Sequence, residues 1–456
     1  MANLSDIARK KGIKYFLISF TDLFGVMRSK LVPASAVGGM QKNGAGFAGF
    51  ATHLDLTPAD PDMFAIPDAD SLMRLPWKKE VAWVASDLII GGKPLAHAPR
   101  HVLKRVTAQA AKAGYTLKTG VECEFFLLSN SRESADPMPP AGKKQKKKTA
   151  SRSHGDDEIA DKFDTQAKPC YDQLALMRQY DFISELCDAM QALGWEPYQN
   201  DHEDGNGQFE MNWGYADALT TADRHAFFKF MAHTLAEARG LRVTFMPKPF
   251  SGLTGNGCHM HFSLWDKPGG KNLFVDAKGE LGLSKLAYHF LGGVLNEASA
   301  LCAITNPTVN SYKRINAPVT ASGATWSPNT ISYTGNNRTH MVRIPDSDRF
   351  EIRLPDGAVN PYLLPAVVLA AGLEGIRSKA SPGKRIDTNM YAHPDAKVKK
   401  LPQTLYEALL LLERSDALKT ALGNEFVESY LKLKRAEWGR YLGQVSAWER
   451  EVYLDV

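Results

Sequence analysis

Residues 120–128 read GVECEFFLL, which places Glu122 and Glu124 two positions apart in an otherwise apolar run. Side chains two positions apart on a β-strand project from the same face, so the two carboxylates would stand side by side. Taken alone, such a pair is typical of a half-buried strand with one solvated face. The fold therefore depends on whether other strands carry the same pattern.

Three later segments repeat this spacing in strand-like surroundings. They are GQFEMNW with Gln208 and Glu210, GCHMHFSL with His259 and His261, and RFEIRL with Arg349, Glu351 and Arg353. Glu203 lies just before the first of them. Each segment also contains Phe, Leu, Ile or Met, so each strand is expected to belong to a core. The pattern predicts a sheet that gathers carboxylate, imidazole and guanidinium groups on one face.

The rest of the chain mixes strand-like and helical segments without an internal repeat. Short strand-like runs come first, and a helical stretch then ends at Gly114. Further strands are predicted at 115–129, 195–213, 241–248, 257–265 and around RFEIRLP, and helices at about 174–193, 221–239, 284–304 and over much of 361–456. The expected fold class is α+β, with a small N-terminal domain, 1–100, and a large domain, 101–456.

Composition is that of an ordinary globular protein, with 456 residues and a net charge of only +5. The five cysteines are scattered and never form a C-x-x-C pair, which favours a reducing cytoplasm and argues against disulfides or structural zinc. No apolar run is long enough for a membrane span, and the N-terminus lacks the apolar core of a signal peptide. We expect a cytoplasmic protein without a membrane partner.

One basic run, KKQKKK at 143–148, lies in a segment rich in Pro, Ser, Lys and Asp. A tether for nucleic acid is one interpretation of such a run. An acidic cluster follows the lysines, and the composition is typical of a solvated segment. We therefore expect a mobile surface insertion over 131–161 and no nucleic-acid partner.

The gathered carboxylates indicate a cation site. Five of them on one sheet face would repel one another unless cations neutralise them. Oxygen ligands with one imidazole suit Mg²⁺ or Mn²⁺ better than zinc. Five arginines, whose forks match phosphates and carboxylates, fall within forty residues: Arg314, Arg338, Arg343, Arg349 and Arg353. Metals opposite arginines predict phosphoryl transfer from a nucleotide, although neither a P-loop nor a G-x-G-x-x-G motif is present.

The ordered motifs GVECEFF, HEDGNGQFE, MPKPFSGLTGNGCHMHFS, NPTVNSYKR, NNRTHMVRIP and RFEIRLPDGAVNPYL resemble those of the glutamine synthetase family. The N-terminal stretches FTDLFGVMRSKLVPA and DMFAIPD are similar to that family's smaller domain. The resemblance covers nearly the whole chain apart from residues 131–161. Within the family, the chain most closely resembles the glutamate–methylamine ligases. A guanidino kinase would not need five carboxylates with an imidazole, and a non-catalytic relative would have lost a metal ligand.

The resemblance implies a β-grasp-like N-terminal domain and a barrel-like antiparallel sheet whose metal-lined active site lies between subunits. It also implies hexameric rings, stacked into a homo-oligomer of twelve. One metal ion would be held by Glu124, Glu203 and Glu210, and the other by Glu122, His259 and Glu351. The family pattern places His261, Ser263, Arg338, Arg343 and Arg349 at the ATP, and Gly255, Arg314 and Arg353 at the L-glutamate. His261 as a buried structural histidine and Arg343 as a structural ion pair are the alternatives.

The chain departs from the family in the region that would receive the amine. The family's small-domain aspartate is absent from KNGAGFAGFATHLDL, residues 42–56, and no acid occurs between Arg314 and Arg338. A lysine common before the RFEIR-type motif is also replaced, in DSDRF. Glu203 would then accept the proton of the amine, and Phe47, Phe50 and Tyr171 are candidates for an apolar pocket wall. We expect methylamine as the amine substrate, with ammonia or another small amine as alternatives. The alternative interpretation of residues 42–56 is a glycine hinge that packs both phenylalanines into its own domain.

Overall fold

A computed structural model describes residues 2–129, 158–392 and 397–456. The basic run and most of the expected insertion, 131–161, lie outside the described residues. The described end of that segment is packed, because Ile159 forms a β-bridge with Leu128 and the buried Asp161 binds Arg178 at 2.6 Å. Residues 158–161 are therefore packed against the rest of the chain, although they were expected to belong to the insertion.

Seven strands of the N-terminal part form one sheet, together with helices α1 (Leu4–Lys11) and α2 (Val37–Asn43). The strands are β1 Tyr15–Thr21, β2 Met27–Pro33, β3 Ala45–Phe47, β4 Met63–Pro67, β5 Met73–Arg74, β6 Val81–Ile90 and β7 Lys93–Pro94. The order is β2-β1-β6-β4-β3, with β5 and β7 also paired to β6. The central pair, β1 and β6, is parallel, and the sheet's core contains the fully buried Phe16, Ile18 and Trp83.

Nine later strands form the second sheet. They are β8 Thr116–Ser129, β9 Gln199–His202, β10 Gln208–Asn212, β11 Ala216–Asp217, β12 Leu241–Thr244, β13 Cys258–Trp265, β14 Tyr333–Thr334, β15 Val342–Asp346 and β16 Arg349–Ile352. The order is β14-β15-β16-β13-β8-β10-β9, with β11 and β12 also paired to β8. The strands predicted at 115–129 and 257–265 are confirmed as β8 and β13. The mixed α+β class is confirmed as well, whereas the division near residue 100 stays a proposal.

Twelve α-helices lie in the described residues from 99 onward. They are α3 Pro99–Lys112, α4 Gln173–Arg178, α5 Tyr180–Ala192, α6 Ala218–Glu237, α7 Lys285–Asn296, α8 Ala298–Thr305, α9 Ser311–Ile315, α10 Leu363–Ser378, α11 Leu405–Arg414, α12 Asp416–Leu422, α13 Asn424–Leu442 and α14 Ala447–Tyr453. Of these, α3 and α6 pack against β8. The helices predicted at 174–193 and 284–304 are each split in two. The second split falls at Glu297, whose carboxylate accepts a hydrogen bond from Ser415 at 2.7 Å and is thereby fixed to the start of α12.

The second sheet has one apolar and one polar face. On the apolar face, Phe125 of β8 packs against Phe209 of β10 at 6.3 Å and Phe228 of α6 at 6.4 Å between ring centroids. Fully burying one such ring stabilises the fold by about 1.5–3 kcal/mol. The alternation of β8 then turns Glu122 and Glu124 to the opposite face. Packing of α6 therefore determines which face is left for the polar side chains.

A buried arginine at the start of α3 links the N-terminal part to α6, which packs on the second sheet. Arg100 donates to Asp87 at 2.7 Å and to Asp68 at 2.9 Å, both in the N-terminal part, and to Asp223 of α6 at 3.0 Å. Asp223 also accepts a hydrogen bond from Tyr362 at 2.8 Å. Burial opposes the ionisation of Asp68 and Asp87, but the charges of Arg100 and Lys104 outweigh it and lower the pKa of both. The position of the N-terminal sheet against α6 depends on this cluster.

Candidate active site

The register of the second sheet brings the predicted polar pairs together. Glu124 is the Cα partner of Glu210, and Glu122 is the partner of His259. Across the next ladder, His261 is paired with Glu351. Four adjacent strands, β10, β8, β13 and β16, thus place their i, i+2 pairs side by side, as the spacing predicts.

Glu122 lies at the centre of the cluster. One carboxylate oxygen is 2.7 Å from Nε2 of His261, and the other is 3.2 Å from Nδ1 of His259. Burial alone would raise the pKa of Glu122, but the hydrogen bonds from the two histidines outweigh it and hold the pKa well below its usual range. Glu122 is therefore a carboxylate at neutral pH and joins both histidines into one network.

Glu351 is a fully buried carboxylate beside two guanidinium groups. Its oxygens contact Arg343 at 2.7 Å and, at very short range, Arg353. Burial works against ionisation here too, yet the charge of Arg353 prevails and lowers the pKa of Glu351 to about 2. The arginine ion pair that was the alternative interpretation of Arg343 is thus present, but its partner is a predicted metal ligand.

One carboxylate oxygen of Glu124 accepts two hydrogen bonds, and the other oxygen lies near the imidazole of His259. Its Oε2 accepts hydrogen bonds from the backbone N–H of Gly257 at 2.6 Å and from Gln208 at 3.0 Å. Its Oε1 lies 3.9 Å from Nε2 of His259, a buried nitrogen without a hydrogen-bond partner among the described residues. Unpartnered buried polar atoms are rare. A cation between these two atoms would satisfy both.

A second carboxylate group lies beside the first and contains one residue that the sequence analysis missed. Oxygens of Asp201, Glu203 and Glu210 lie within 4.8 Å of one another. Burial and then the charges of Glu124 and Asp201 raise the pKa of Glu203 to about 8, and burial and neighbouring carboxylates raise that of Glu210. Asp201 and Glu203 are themselves an i, i+2 pair, so the same spacing rule could have found Asp201.

These groups fit divalent cations. The residues whose ligand atoms approach within 4.8 Å are Glu122, Glu210 and His259; Glu122, His261 and Glu351; and Asp201, Glu203 and Glu210. Five of the six predicted ligands belong to these groups, with His261 and Asp201 in addition. The sixth, Glu124, lies beside them, with Oε1 3.9 Å from Nε2 of His259. The crowded carboxylates and the unpartnered imidazole nitrogen suit a hard cation with oxygen and one nitrogen ligand. Assignment of ligands to individual ions stays a proposal.

A cavity of about 640 Å³ opens next to Glu122. Every residue predicted to contact ATP lines it: His261, Ser263, Arg338, Arg343 and Arg349. Its wall also includes Tyr198, Tyr215 and Trp265, and Lys118 places its ammonium 4.0 Å from the Trp265 ring centroid. Cationic groups near the carboxylates and aromatic rings on the wall match the two ends of a nucleotide. The sequence analysis missed the aromatic residues because an aromatic side chain in a strand-like segment is equally typical of a packed core.

The residues predicted to position glutamate lie deeper in the cluster and do not line this cavity. Arg314 is buried and donates to the Leu354 carbonyl at 3.0 Å. Gly255 lies beside it, and a Cβ there would come within 2.3 Å of the Pro247 carbonyl oxygen. Only glycine fits at that position. A Cβ at Gly257 would likewise meet Arg314, His259 and Glu124 at 3.0 Å or less, so the backbone passes directly over the predicted ligands.

The three residues predicted for the amine pocket are not brought together in the described chain. Phe47 lies in β3 and packs edge-on against Phe20 at 5.1 Å, and Phe50 is 52% exposed. Neither lines the cavity. Tyr171 is closer to the site, since partial burial and then the charge of Glu203 raise its pKa. Packing of Phe47 into its own sheet agrees with the hinge interpretation for that ring, while exposure of Phe50 leaves it free for another surface.

A group of soft ligands lies behind the cluster, on the apolar face. Nε2 of His225 in α6 is 3.7 Å from Sγ of Cys123 and 3.8 Å from Sγ of Cys258. These two cysteines are Cα partners on β8 and β13. All three residues are buried, and their distances are those of weak thiol–imidazole hydrogen bonds. Scattered positions in the sequence gave no sign of this grouping.

Among the residues that the structure describes, no helix combines the length and apolar character that a membrane span requires.

Comparison with known proteins agrees with this geometry. The protein-family model described as "Glutamine synthetase, catalytic domain" matches residues 96–453 of the chain. The chain is 59% identical to "Glutamine synthetase" of Rhizobium meliloti (strain 1021), over 100% of this chain and 99% of that protein. It is 42% identical to "Glutamate--methylamine ligase" of Methyloversatilis universalis, over 98% and 97% of the two chains. A solved structure described as "GmaS/ADP complex-Conformation 1" is 57% identical, covers all of both chains and superimposes with a TM-score of 0.91.

The fold, the carboxylate–histidine cluster and the relatives define an ATP-dependent ligase of the glutamine synthetase type. Enzymes of this type use ATP, a divalent metal, glutamate and ammonia or an amine. The chain belongs to the glutamine synthetase family.

Proposed function

We propose that this enzyme joins L-glutamate to methylamine, with ATP converted to ADP and phosphate through a γ-glutamyl phosphate intermediate. The observation that carries the proposal is the contact between the carboxylate–histidine cluster and the arginine-lined cavity, which share Glu122 and His261. The cavity takes ATP, with its phosphates toward Arg338, Arg343 and Arg349. The cluster would hold two Mg²⁺ or Mn²⁺ ions through its six predicted ligands, and bound cations would neutralise charge on the transferring phosphoryl group.

Phosphoryl transfer requires that the two substrates meet in line. Glutamate is positioned by Arg314, Arg353 and the close backbone at Gly255. Its γ-carboxylate attacks the terminal phosphorus of ATP, and Arg338 stabilises the charge that develops on the phosphoryl oxygens. Preorganised guanidinium groups are well suited to this role because their forks match phosphate geometry. The product, an acyl phosphate, makes the γ-carbon susceptible to attack by an amine.

The amine must lose a proton before it can attack, because an ammonium ion has no lone pair. Glu203 is the group that we assign to this step. Burial and the charges of Glu124 and Asp201 raise the pKa of Glu203 to about 8, which favours uptake of a proton from the amine. Tyr171 lies beside Glu203 and is assigned to the pocket wall. Phe50, exposed in the short turn after β3, is free to reach the site of a neighbouring subunit.

The preference for methylamine rests partly on similarity to the glutamate–methylamine ligases, one of which is 42% identical, and partly on the altered amine region, because ammonium and methylammonium carry the same charge. No acid occurs between Arg314 and Arg338 or between Lys42 and His53. Burying the extra methyl group in an apolar pocket is worth about 0.8 kcal/mol. Ammonia is the second candidate substrate, and the high identity to a protein named glutamine synthetase favours it.

We further propose a β-grasp-like N-terminal domain, an active site between subunits and a dodecamer of two hexameric rings in the cytoplasm.

The test of the amine is a direct comparison. Purified protein with glutamate and Mg-ATP is assayed for phosphate release with methylamine, ethylamine or ammonia. We expect the highest kcat/KM with methylamine, by roughly fourfold over ammonia if one buried methyl group decides the difference. A higher kcat/KM with ammonia would identify a glutamine synthetase instead, and phosphate release with none of the amines would contradict the proposed reaction.

Cation binding is expected to release protons at neutral pH. With a pKa of about 8, Glu203 is mostly protonated at pH 7 in the metal-free protein, whereas a metal ligand must be a carboxylate. Calorimetric titration with Mg²⁺ in two buffers of different ionisation enthalpy measures the protons released. The release should fall as the pH rises above 8, and Glu203→Gln should release fewer protons. Buffer-independent heats at pH 7 would contradict the assignment.

A further inference from the structure

Asp204 is a buried carboxylate that joins four separate parts of the chain. Its Oδ2 accepts a hydrogen bond from the Ser322 hydroxyl at 2.6 Å and a very short one from the Thr254 hydroxyl. Its Oδ1 accepts a weak hydrogen bond from the Cys170 thiol at 3.7 Å. Asp204 directly follows Glu203, and Thr254 directly precedes Gly255. The carboxylate therefore connects the floor of the site to the segment that contains Ser322.

That segment, residues 316–330, is named here the 316–330 loop. Its turn is braced internally, since Thr320 N–H donates to the Ala324 carbonyl at 3.0 Å and the Thr320 hydroxyl donates to the same oxygen at 2.9 Å. β14 follows the loop along the chain, and no residue of 316–330 lines the ATP cavity. The Ser322–Asp204 contact thus joins the tip of the turn to the Glu203 side of the site rather than to the nucleotide side.

The end of the loop is held in a costly conformation. Trp326 has a φ of +54°, in the left-handed region that a bulky side chain rarely adopts. Its indole N–H is buried and has no hydrogen-bond partner among the described residues. Backbone strain of this kind persists only where the surrounding structure imposes it. The anchoring of the neighbouring turn at Asp204 is such a constraint.

We propose that Asp204 is a positioning residue that fixes the 316–330 loop over the amine side of the active site and thereby determines which amines are used. The loop carries no acid, so the anchored turn presents hydroxyl and apolar groups beside Glu203 and leaves Glu203 as the carboxylate that meets the ammonium. An alkylammonium tolerates such a wall better than a small hydrated cation does. This inference rests on the proposed amide synthesis.

The test compares two serines of the same loop. Ser322→Ala removes the hydroxyl that binds Asp204, whereas Ser327→Ala removes a buried hydroxyl that has no partner in the described chain. We expect Ser322→Ala to raise the KM for the amine about tenfold and to reduce the preference for methylamine over ammonia. The KM values for ATP and glutamate should stay within twofold of wild type. Ser322→Thr, which keeps the hydroxyl, should restore the KM for the amine, and Ser327→Ala should resemble wild type.

Hydrogen–deuterium exchange of the 316–330 loop separates the anchor from the reaction. Faster exchange in Ser322→Ala than in Ser327→Ala supports the anchor, and equal exchange overturns it. Faster exchange with an unchanged KM for the amine overturns the role in amine choice, as does an equal rise in all three KM values. Wild-type protein that is inactive with every amine overturns the proposed reaction, and this result is distinct from any outcome of the exchange measurement.

Discussion

Glu203→Gln is expected to lower kcat for amide formation with methylamine by about 10²- to 10⁴-fold, the usual contribution of a general base. Glutamine keeps the size and an acceptor oxygen but cannot take up the proton of the alkylammonium. Hydroxylamine is already unprotonated at neutral pH, so its reaction with the acyl phosphate should fall much less. Phosphate release with each nucleophile, measured side by side, gives the two losses.

Asp201→Asn is the matched control for this substitution. It removes the same charge from the same carboxylate group, since oxygens of Asp201 and Glu203 lie within 4.8 Å of each other in the described structure. We expect a smaller loss that is equal for methylamine and hydroxylamine. If Glu203→Gln also reduced the two reactions equally, its role would be confined to cation binding, and proton transfer would have to be assigned to another group.

Arg100→Met is expected to lower the free energy of unfolding by about 3–5 kcal/mol, because it leaves carboxylates buried without their counter-ion. Arg100 is 5% exposed and contacts Asp68, Asp87 and Asp223. Lys104→Met is the control, since Lys104 contacts two of the same aspartates but its side chain is 34% exposed. A partly exposed pair of this kind is worth at most about 1 kcal/mol. Urea unfolding followed by circular dichroism measures both variants, and equal losses would contradict the structural role of Arg100.

The same cluster predicts a dependence of stability on pH. The pKa values of Asp68 and Asp87 are lowered from the ordinary value of 3.8, so their ion pairs contribute stability above that pH. This stability is lost as the pH falls through the lowered values. Wild type should therefore lose stability steeply below pH 4, and Arg100→Met should show a shallower slope over the same range. Parallel slopes in the two proteins would indicate that other carboxylates dominate acid unfolding.

Local patterns predicted a large part of the site because they depend on strand geometry alone. Glu122 and Glu124 had to share a face once 120–128 was a strand, and the same holds for His259 and His261. The structure confirms that these pairs meet in one cluster with Glu210 and Glu351. Asp201 follows the same rule with Glu203, so strand spacing in the sequence is sufficient to place it in the cluster.

Other features had no local signature. Trp265 and Tyr215 lie 50 residues apart in the sequence and meet only because both border the same cavity of the second sheet. Glu297, at the split of the helix predicted at 284–304, likewise contacts Ser415, which is 118 residues away in the sequence. Neither an isolated aromatic residue nor one glutamate inside a helical pattern distinguishes these roles from ordinary positions.

The sequence by itself determined the family, the α+β class and the residues that face the site from each strand, because alternation along a strand is a property of consecutive residues. Only the tertiary structure decided that Glu122 touches both histidines, that Arg100 links the N-terminal part to α6, and that Asp204 holds Ser322. Those contacts depend on the pairing of distant segments, which is set by burial of the whole apolar face against α6. Phe47 and Phe50, in the loop at 42–56, illustrate this difference between sequence and tertiary structure. Both are unusual in a glycine-rich loop, but only the packing of the sheet distinguishes the partly buried Phe47 from the exposed Phe50.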